Sequence, residues 1–213
     1  WLSQCISHEC ETKTESSYCP EYLINTSTLK LAPQVGICQY AALSYVWGGP
    51  EIPQLTLKDM KTIAPDQDSW SIGQHWESVP QTIKDAILLC QLLSIDYLWV
   101  DSLCILHERP DQKAFGDTHL ARQMCDVYES AHLTIVGAAA KDSWAGLPGL
   151  RAGTRNTKQH TLQLGDVLLA VVQRSPREAL ESSIWNTRAW TFQESILSNR
   201  LIIFTDEHCF WSC

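Results

Sequence analysis

The run Arg188-Ala189-Trp190-Thr191-Phe192-Gln193-Glu194 sets a carboxylate and an amide where helical periodicity turns an apolar face inward. At about 100° per residue, Ala189, Trp190, Phe192, Ile196 and Leu197 share one broad arc. Gln193 falls inside that arc, and Glu194 falls on its border one turn past Trp190. Burying either polar group without partners is costly. Gln193, deep in the arc, reads as a hydrogen-bonded strut, whereas Glu194 is either a structural strut or a site acid.

Two further groups stand at the ends of strand-like runs. Trp47-Gly48-Gly49-Pro50 follows the apolar residues 40–46, and Asp101 closes the run 97–101. Ligands of open α/β sheets bind outside the carboxyl ends of the strands. A helix carrying Trp190 and Glu194 beside those ends would gather Tyr45, Trp47, Asp101, Trp190 and Glu194 into one cleft. Two aromatic rings, a glycine loop that lets backbone approach and a border carboxylate suit a nucleotide or nicotinamide ring better than a peptide. A second reading stays open: Asp101 caps residues 102–105, and Glu194 pairs with Arg188 or Arg200.

Other chemistries find less support. Cys5, His8, Cys10 and Cys19 could offer soft ligands, but structural zinc sites pair their ligands with wider spacing. A short helical turn of Trp1, Leu2, Cys5 and Ile6 packing on the domain is favoured, and no metal is expected. Ser44 with His107 or His119 and Asp101 lacks the G-x-S-x-G elbow of a hydrolase. No phosphate-cradling glycine motif occurs.

The elements that must position these groups alternate along the chain. Residues 40–46 form a buried strand. A helix follows from residue 79, with Ile83, Ala86, Ile87, Cys90 and Leu93 at helical spacing and Pro80 in its first turn. A second strand covers 97–101, Arg109-Pro110-Asp111 marks a turn, and a second helix spans about 118–131 with Asp117 as its cap. Residues 133–139 are apolar on consecutive positions, as a strand covered on both faces requires. After a Gly-rich exposed loop, residues 161–164 and 167–173 flank Gly165-Asp166, a hairpin signal. The Glu194 helix (187–197), a strand at 201–204 and a last short strand at 209–213 complete the series. Strands alternating with helices predict an α/β fold with a parallel sheet.

Length and composition narrow the function. A chain of 213 residues, 45% hydrophobic, can form one domain burying roughly 70% of its unfolded surface. A net charge of -8 leaves no basic stripe for nucleic-acid phosphates, and no apolar run reaches the roughly 18 residues of a membrane span. The chain opens on Trp1 and stops at Cys213 inside a Trp-rich segment, as expected of a piece of a longer protein. The nine cysteines are an odd number, and those inside apolar segments, Cys90, Cys104 and Cys125, read as free buried thiols of a reducing, cytoplasmic compartment.

Three blocks then stand out in order: Tyr40-Ala41-Ala42-Leu43-Ser44-Tyr45-Val46-Trp47-Gly48, Tyr97-Leu98-Trp99-Val100-Asp101-Ser102-Leu103-Cys104-Ile105, and Arg188 to Glu194. Together they resemble the heterokaryon incompatibility (HET) domain of filamentous fungi, over nearly the whole chain. The resemblance implies a cytosolic module that triggers growth arrest or cell death when genetically different cells fuse, with other HET or allorecognition proteins as partners and self-association. HET domains are in turn distantly similar to Toll/interleukin-1 receptor (TIR) domains, which implies a flavodoxin-like, mostly parallel sheet flanked by helices. The expected layout is a lead-in 1–35, an α/β core 36–145 and 186–213, and a loop and β-hairpin insertion 146–185.

Some TIR domains cleave NAD between nicotinamide and ribose with a glutamate in a motif S-x-W-C-x-x-E. Trp190 and Glu194 reproduce its W-x-x-x-E spacing, while Arg188 replaces the Ser and Thr191 the Cys. The resemblance thus implies Glu194 as catalytic residue and Ser44, Tyr45, Trp47, Gly48, Asp101, Arg188 and Trp190 as substrate-binding, with NAD as substrate and no separate cofactor. Trp47 or Trp190 would stack on a ring, and Asp101 or Ser44 would hold ribose hydroxyls. A non-enzymatic, self-associating death-signalling adaptor is the alternative.

Overall fold

A strand that is apolar at nearly every position needs cover on both faces, and Ala41–Tyr45 (β3) has it, with all five residues buried. The computed structural model describes residues 1–7, 18–33, 36, 38–49, 53–54, 71–106, 112–155, 157 and 159–213, without the side chains of 112–120. The expected turn at 109–111 and His8, Cys10 and His107 lie outside the described residues, as does the side chain of His119; the helix expected from about 118 begins earlier, at Gln112, so Asp117 lies inside it and not at its cap.

Around β3 the strands Tyr22–Asn25 (β1), Leu31–Pro33 (β2), Tyr97–Trp99 (β4), Leu133–Gly137 (β5), Leu201–Phe204 (β8) and Cys209–Ser212 (β9) form a seven-stranded sheet. Its order is β2-β1-β4-β3-β5-β8-β9. The central strands β4, β3, β5 and β8 run parallel, and antiparallel strands close both edges. The parallel part repeats the 2-1-3-4 order of flavodoxin-like sheets, so the expected mixed α/β architecture is present. β1 and β2 come from the segment expected to lead in. Leu23 and Ile24 are too short an apolar run to signal a strand, but pairing with β4 buries both completely.

Helix Gln81–Leu92 (α2) buries Ile83, Ala86, Ile87 and Cys90 on one face of the sheet. Pro80 stands at its N-cap, as expected of a residue whose ring favours the entry to a helix. The strand expected over 97–101 stops at Trp99, because Cys104 donates back to the Val100 carbonyl and Asp101–Cys104 (α3) turns into a helix. Helix Gln112–Ser130 (α4) leads into β5. On the way it sets Tyr128 edge-on to Trp99, centroids 5.7 Å apart, and directs the Tyr128 hydroxyl to the Leu43 carbonyl.

The hairpin Thr161–Leu164 (β6) and Val167–Ala170 (β7) forms as predicted, as a separate two-stranded sheet with every residue exposed. At the amino terminus Leu2–Ser7 (α1) makes the expected turn, with Cys5 buried.

The cysteine set is mixed. Cys90 and Cys104 are free and buried, and burial pushes both thiols up to about 12. Cys19 and Cys38, however, form a disulfide, which departs from the free thiols expected of a reducing compartment and leaves Cys19 no thiolate for a metal. No helix among the described residues is long and apolar enough to cross a membrane.

The Glu194 helix corrects the periodicity. After the short helix Pro176–Glu181 (α5), Ala189–Leu197 (α6) buries Thr191 and Glu194 and turns the predicted inward arc outward, leaving Trp190 46%, Phe192 70% and Ile196 54% exposed. Only Leu197, at the end, packs against the main core. The sheet and the turn before the helix offer it polar partners: Thr191 donates to the Trp185 carbonyl at 2.7 Å, Glu194 accepts from Ser44 on β3, and the Glu194 carbonyl accepts from Ser198, whose hydroxyl meets that of Thr134 on β5. Those bonds fix the rotation of the helix. Gln193 is half-buried and donates to the Ala121 carbonyl and the Cys125 sulfur of α4, the strut its position suggested.

Candidate active site

Ser44 and Tyr45 are neighbours on β3, so their side chains leave opposite faces of the sheet. Ser44 is 1% exposed and donates to Oε2 of Glu194. Tyr45 points to the other side, where its hydroxyl meets Ser102 at 3.0 Å. Beyond β3, Trp47 donates its indole N–H to Oδ2 of Asp101 at 2.8 Å, and the Ser102 amide donates to Oδ1 at 2.7 Å. The Arg188 guanidinium crosses the strand end to donate to the Tyr45 carbonyl at 2.6 Å.

These groups surround a cleft of about 310 Å³ lined by Trp47, Asp101, Ile105, Met124, Arg188, Trp190 and Glu194. Of the residues anticipated from sequence, Trp47, Asp101, Arg188, Trp190 and Glu194 line it. Ser44 and Tyr45 stand behind its wall and are absent from its lining, each engaged in buried hydrogen bonds. The single proton of the Ser44 hydroxyl goes to Glu194 and one of its lone pairs accepts the Trp185 indole N–H, so Ser44 is held as a support for Glu194.

Gly48 is likewise absent from the lining of the cleft. Its φ of +85° and its approach to Asp142, where an added Cβ would come within 2.1 Å of the Asp142 Cβ and 2.7 Å of its Cα, make it a packing glycine. The left-handed backbone and the clash together predict that Gly48→Ala costs about 2–4 kcal/mol. Chemical denaturation measures it, and a loss below about 1 kcal/mol would show that the loop yields freely.

The two carboxylates are electrostatically unusual. Burial pushes Glu194 up to about 7, against the opposing effects of the Ser44 hydroxyl and the Arg188 charge, while the charge of Asp101 adds to the rise. Asp101, partly buried at the cleft, is raised to about 6, again chiefly by desolvation, with the Ser102 amide, Trp47 indole and Arg188 partly offsetting it. Asp101 lines the cleft, and in place of the anticipated cap it is the first residue of the Asp101–Cys104 turn, whose N-cap is Val100. Glu194 takes Ser44 as its partner in place of an ion pair with Arg188 or Arg200; Arg200 points to the His132 carbonyl. The site presents two carboxylates that change protonation near neutral pH beside two indoles, a constellation able to bind a cationic ring and stabilise developing positive charge.

One member escaped the sequence reading. Trp185, in the 3-10 turn Trp185–Thr187, is 2% exposed and donates its indole N–H to the Ser44 hydroxyl at 2.7 Å. It packs with Val46, Val136, Ala138, Leu201 and Ile203 in a second apolar cluster. No periodic run surrounds it. The one cue available was an Ile184-Trp185 pair, three residues ahead of Arg188, between polar neighbours.

The family model of the heterokaryon incompatibility protein matches residues 40–194. No curated protein and no solved structure matches the chain. The matched span begins just before β3, which carries Ser44, and ends on Glu194, so it encloses every residue that lines the cleft. The chain belongs to the heterokaryon incompatibility (HET) family, and its role lies in heterokaryon incompatibility.

Proposed function

We propose that the domain is a cell-death effector of the cytoplasm that hydrolyses NAD to nicotinamide and ADP-ribose. The observation that carries this reading is the placement of Glu194, a buried carboxylate lining an aromatic cleft and braced from behind by Ser44. A cleft of about 310 Å³ lies at the lower end of ligand pockets and suits the nicotinamide-ribose half of the dinucleotide, with the adenosine end running out over the rim. Trp47 and Trp190 offer faces to the pyridinium ring, and two carboxylates against one guanidinium favour its positive charge.

Cleavage breaks the bond between ribose C1 and the nicotinamide nitrogen. The electron pair leaves with nicotinamide, and the ribosyl centre becomes oxocarbenium-like, as in glycoside hydrolysis. The ionised Glu194 carboxylate stabilises that cation, water adds to C1, and a proton is released. Asp101 is placed to hold ribose hydroxyls or the incoming water. Incubating the purified chain with NAD is expected to release nicotinamide, and Glu194→Ala to reduce the rate on the order of 10³-fold. Release unchanged by that substitution removes Glu194 from the mechanism.

The outward apolar face of α6 favours a second reading, a non-enzymatic adaptor assembling with like domains. Phe192 and Ile196 share the outer face of the helix and stay exposed there, as apolar side chains at interaction surfaces do. This reading expects no nicotinamide release, and sedimentation showing assembly that Phe192→Asp abolishes. A monomer at all concentrations would count against it.

A further inference from the structure

We infer that Trp185 is a positioning residue for Glu194, acting through the hydroxyl of Ser44. The inference rests on the reading of Glu194 as the reacting carboxylate, but the bond chain that carries it is independent of any substrate. An indole N–H can only donate. It donates here to Ser44 Oγ at 2.7 Å. One lone pair of the hydroxyl is thereby taken, and its single proton is directed to Oε2 of Glu194.

The consequence is one of direction. Without Trp185 a serine hydroxyl can rotate to accept or donate, and a strand backbone offers it carbonyls as alternative acceptors. With Trp185 in place, Oε2 of Glu194 is held from behind by a hydroxyl of fixed direction. Donation from the indole also polarises the Ser44 O–H, so the bond to the ionised carboxylate is strengthened along the chain.

The anchoring is rigid at both ends. Trp185 is packed in the second apolar cluster between β3, β5 and β8, and its carbonyl accepts the Thr191 hydroxyl at 2.7 Å, one turn before Glu194 on the same helix. The 3-10 turn and α6 are therefore one unit, which holds Ser44 by the indole and presents Glu194 from the helix. The other groups that bear on Glu194 come from different elements: Asp101 at the start of α3, Arg188 just before α6, and the Tyr128 hydroxyl from α4. None of them contacts Ser44 by a recorded hydrogen bond, so the route through Trp185 can be separated from theirs.

A titration of the whole chain followed by NMR tests the assignment. The carboxyl carbon of Glu194 and the indole N–H of Trp185 are expected to titrate together with a midpoint near 7, and Ser44→Ala to silence the indole response while raising the Glu194 midpoint. Trp185→Phe should raise that midpoint in the same sense, and the double variant should move it no further than Ser44→Ala alone. If nicotinamide release is present, Trp185→Phe is expected to lower kcat about tenfold, the worth of one hydrogen bond at the upper end, with KM little changed. An indole blind to Glu194 in the wild type, or midpoint shifts that add in the double variant, overturns the assignment. The wild-type titration decides even if Trp185→Phe does not fold, and it reads the same whether or not the chain hydrolyses NAD.

Discussion

Replacing Glu194 by glutamine is expected to make the domain more stable and chemically inert at the same time. The folded-state value near 7 lies above the ordinary 4.5, so the folded chain holds this proton over a pH range in which the unfolded chain has released it. Folding stability from this group is therefore fully present below about pH 4.5 and is lost as pH rises to about 7. The difference corresponds to roughly 3 kcal/mol at about 1.4 kcal/mol per pH unit. Glutamine imitates the protonated acid. At pH 8 the variant should gain up to about 3 kcal/mol over the wild type, and at pH 4 the two should converge.

Catalysis runs the other way, since only the ionised carboxylate stabilises a ribosyl cation. Wild-type kcat/KM should rise as pH passes through about 7 and then level off, while Glu194→Gln stays flat and at least on the order of 10³-fold lower. Urea denaturation at pH 4 and pH 8 beside a pH-rate profile gives both readings. Equal stability of the two proteins at pH 8 would show that Glu194 is solvated in the native state, contrary to its burial. The expected trade of stability for a strained acid is the usual signature of a working site.

The second large effect is expected far from the cleft, at Asp85. Its side chain is 1% exposed, inside α2, and three donors converge on it: Arg151 Nε, Gln81 Nε2 and the Leu147 amide, each at 2.8 Å. Thr82, one turn earlier, accepts the Gly146 amide and donates its own N–H to the Ser143 carbonyl. The loop 143–151 is thus fastened to the start of α2. Ser143 in turn donates to the Trp47 carbonyl, so the same fastening supports one wall of the cleft.

Asp85→Ala strands the buried Leu147 amide and removes the buried half of an ion pair whose Arg151 is partly exposed, and should cost about 2–4 kcal/mol. For a domain of this length that lowers Tm by about 10 °C. Asp85→Asn retains an acceptor for Leu147 and should lose about 1–2 kcal/mol. Thermal melts of the two variants test the ranking, and an alanine variant within about 1 kcal/mol of wild type would mean that Arg151, partly exposed, and the loop amide are satisfied by water.

Much of the core was legible because its signal is local. β3 and β5 are apolar on consecutive positions and α2 repeats at helical spacing, patterns that hold whatever the rest of the chain does. The cleft residues Trp47, Asp101, Trp190 and Glu194 were legible too, since strand ends and a helix border are defined by those same patterns. Asp85 was not. A lone carboxylate between Lys84 and Ala86 looks like a solvated helix residue until the 143–151 loop folds over it.

The rotation of α6 and the part played by Trp185 were beyond any local pattern. An amphipathic arc states which side chains are apolar, but it does not state what the neighbouring surface offers. Here β3 presents a hydroxyl, 150 residues away in sequence from Glu194, and the satisfaction of buried polar groups outweighed burial of Phe192 and Ile196. The sequence by itself determined the HET family, the alternating elements and the identity of the border carboxylate. Tertiary structure decided which way that carboxylate faces and what holds it, because hydrogen bonds between distant segments depend on the assembled geometry, whereas periodicity depends only on neighbours.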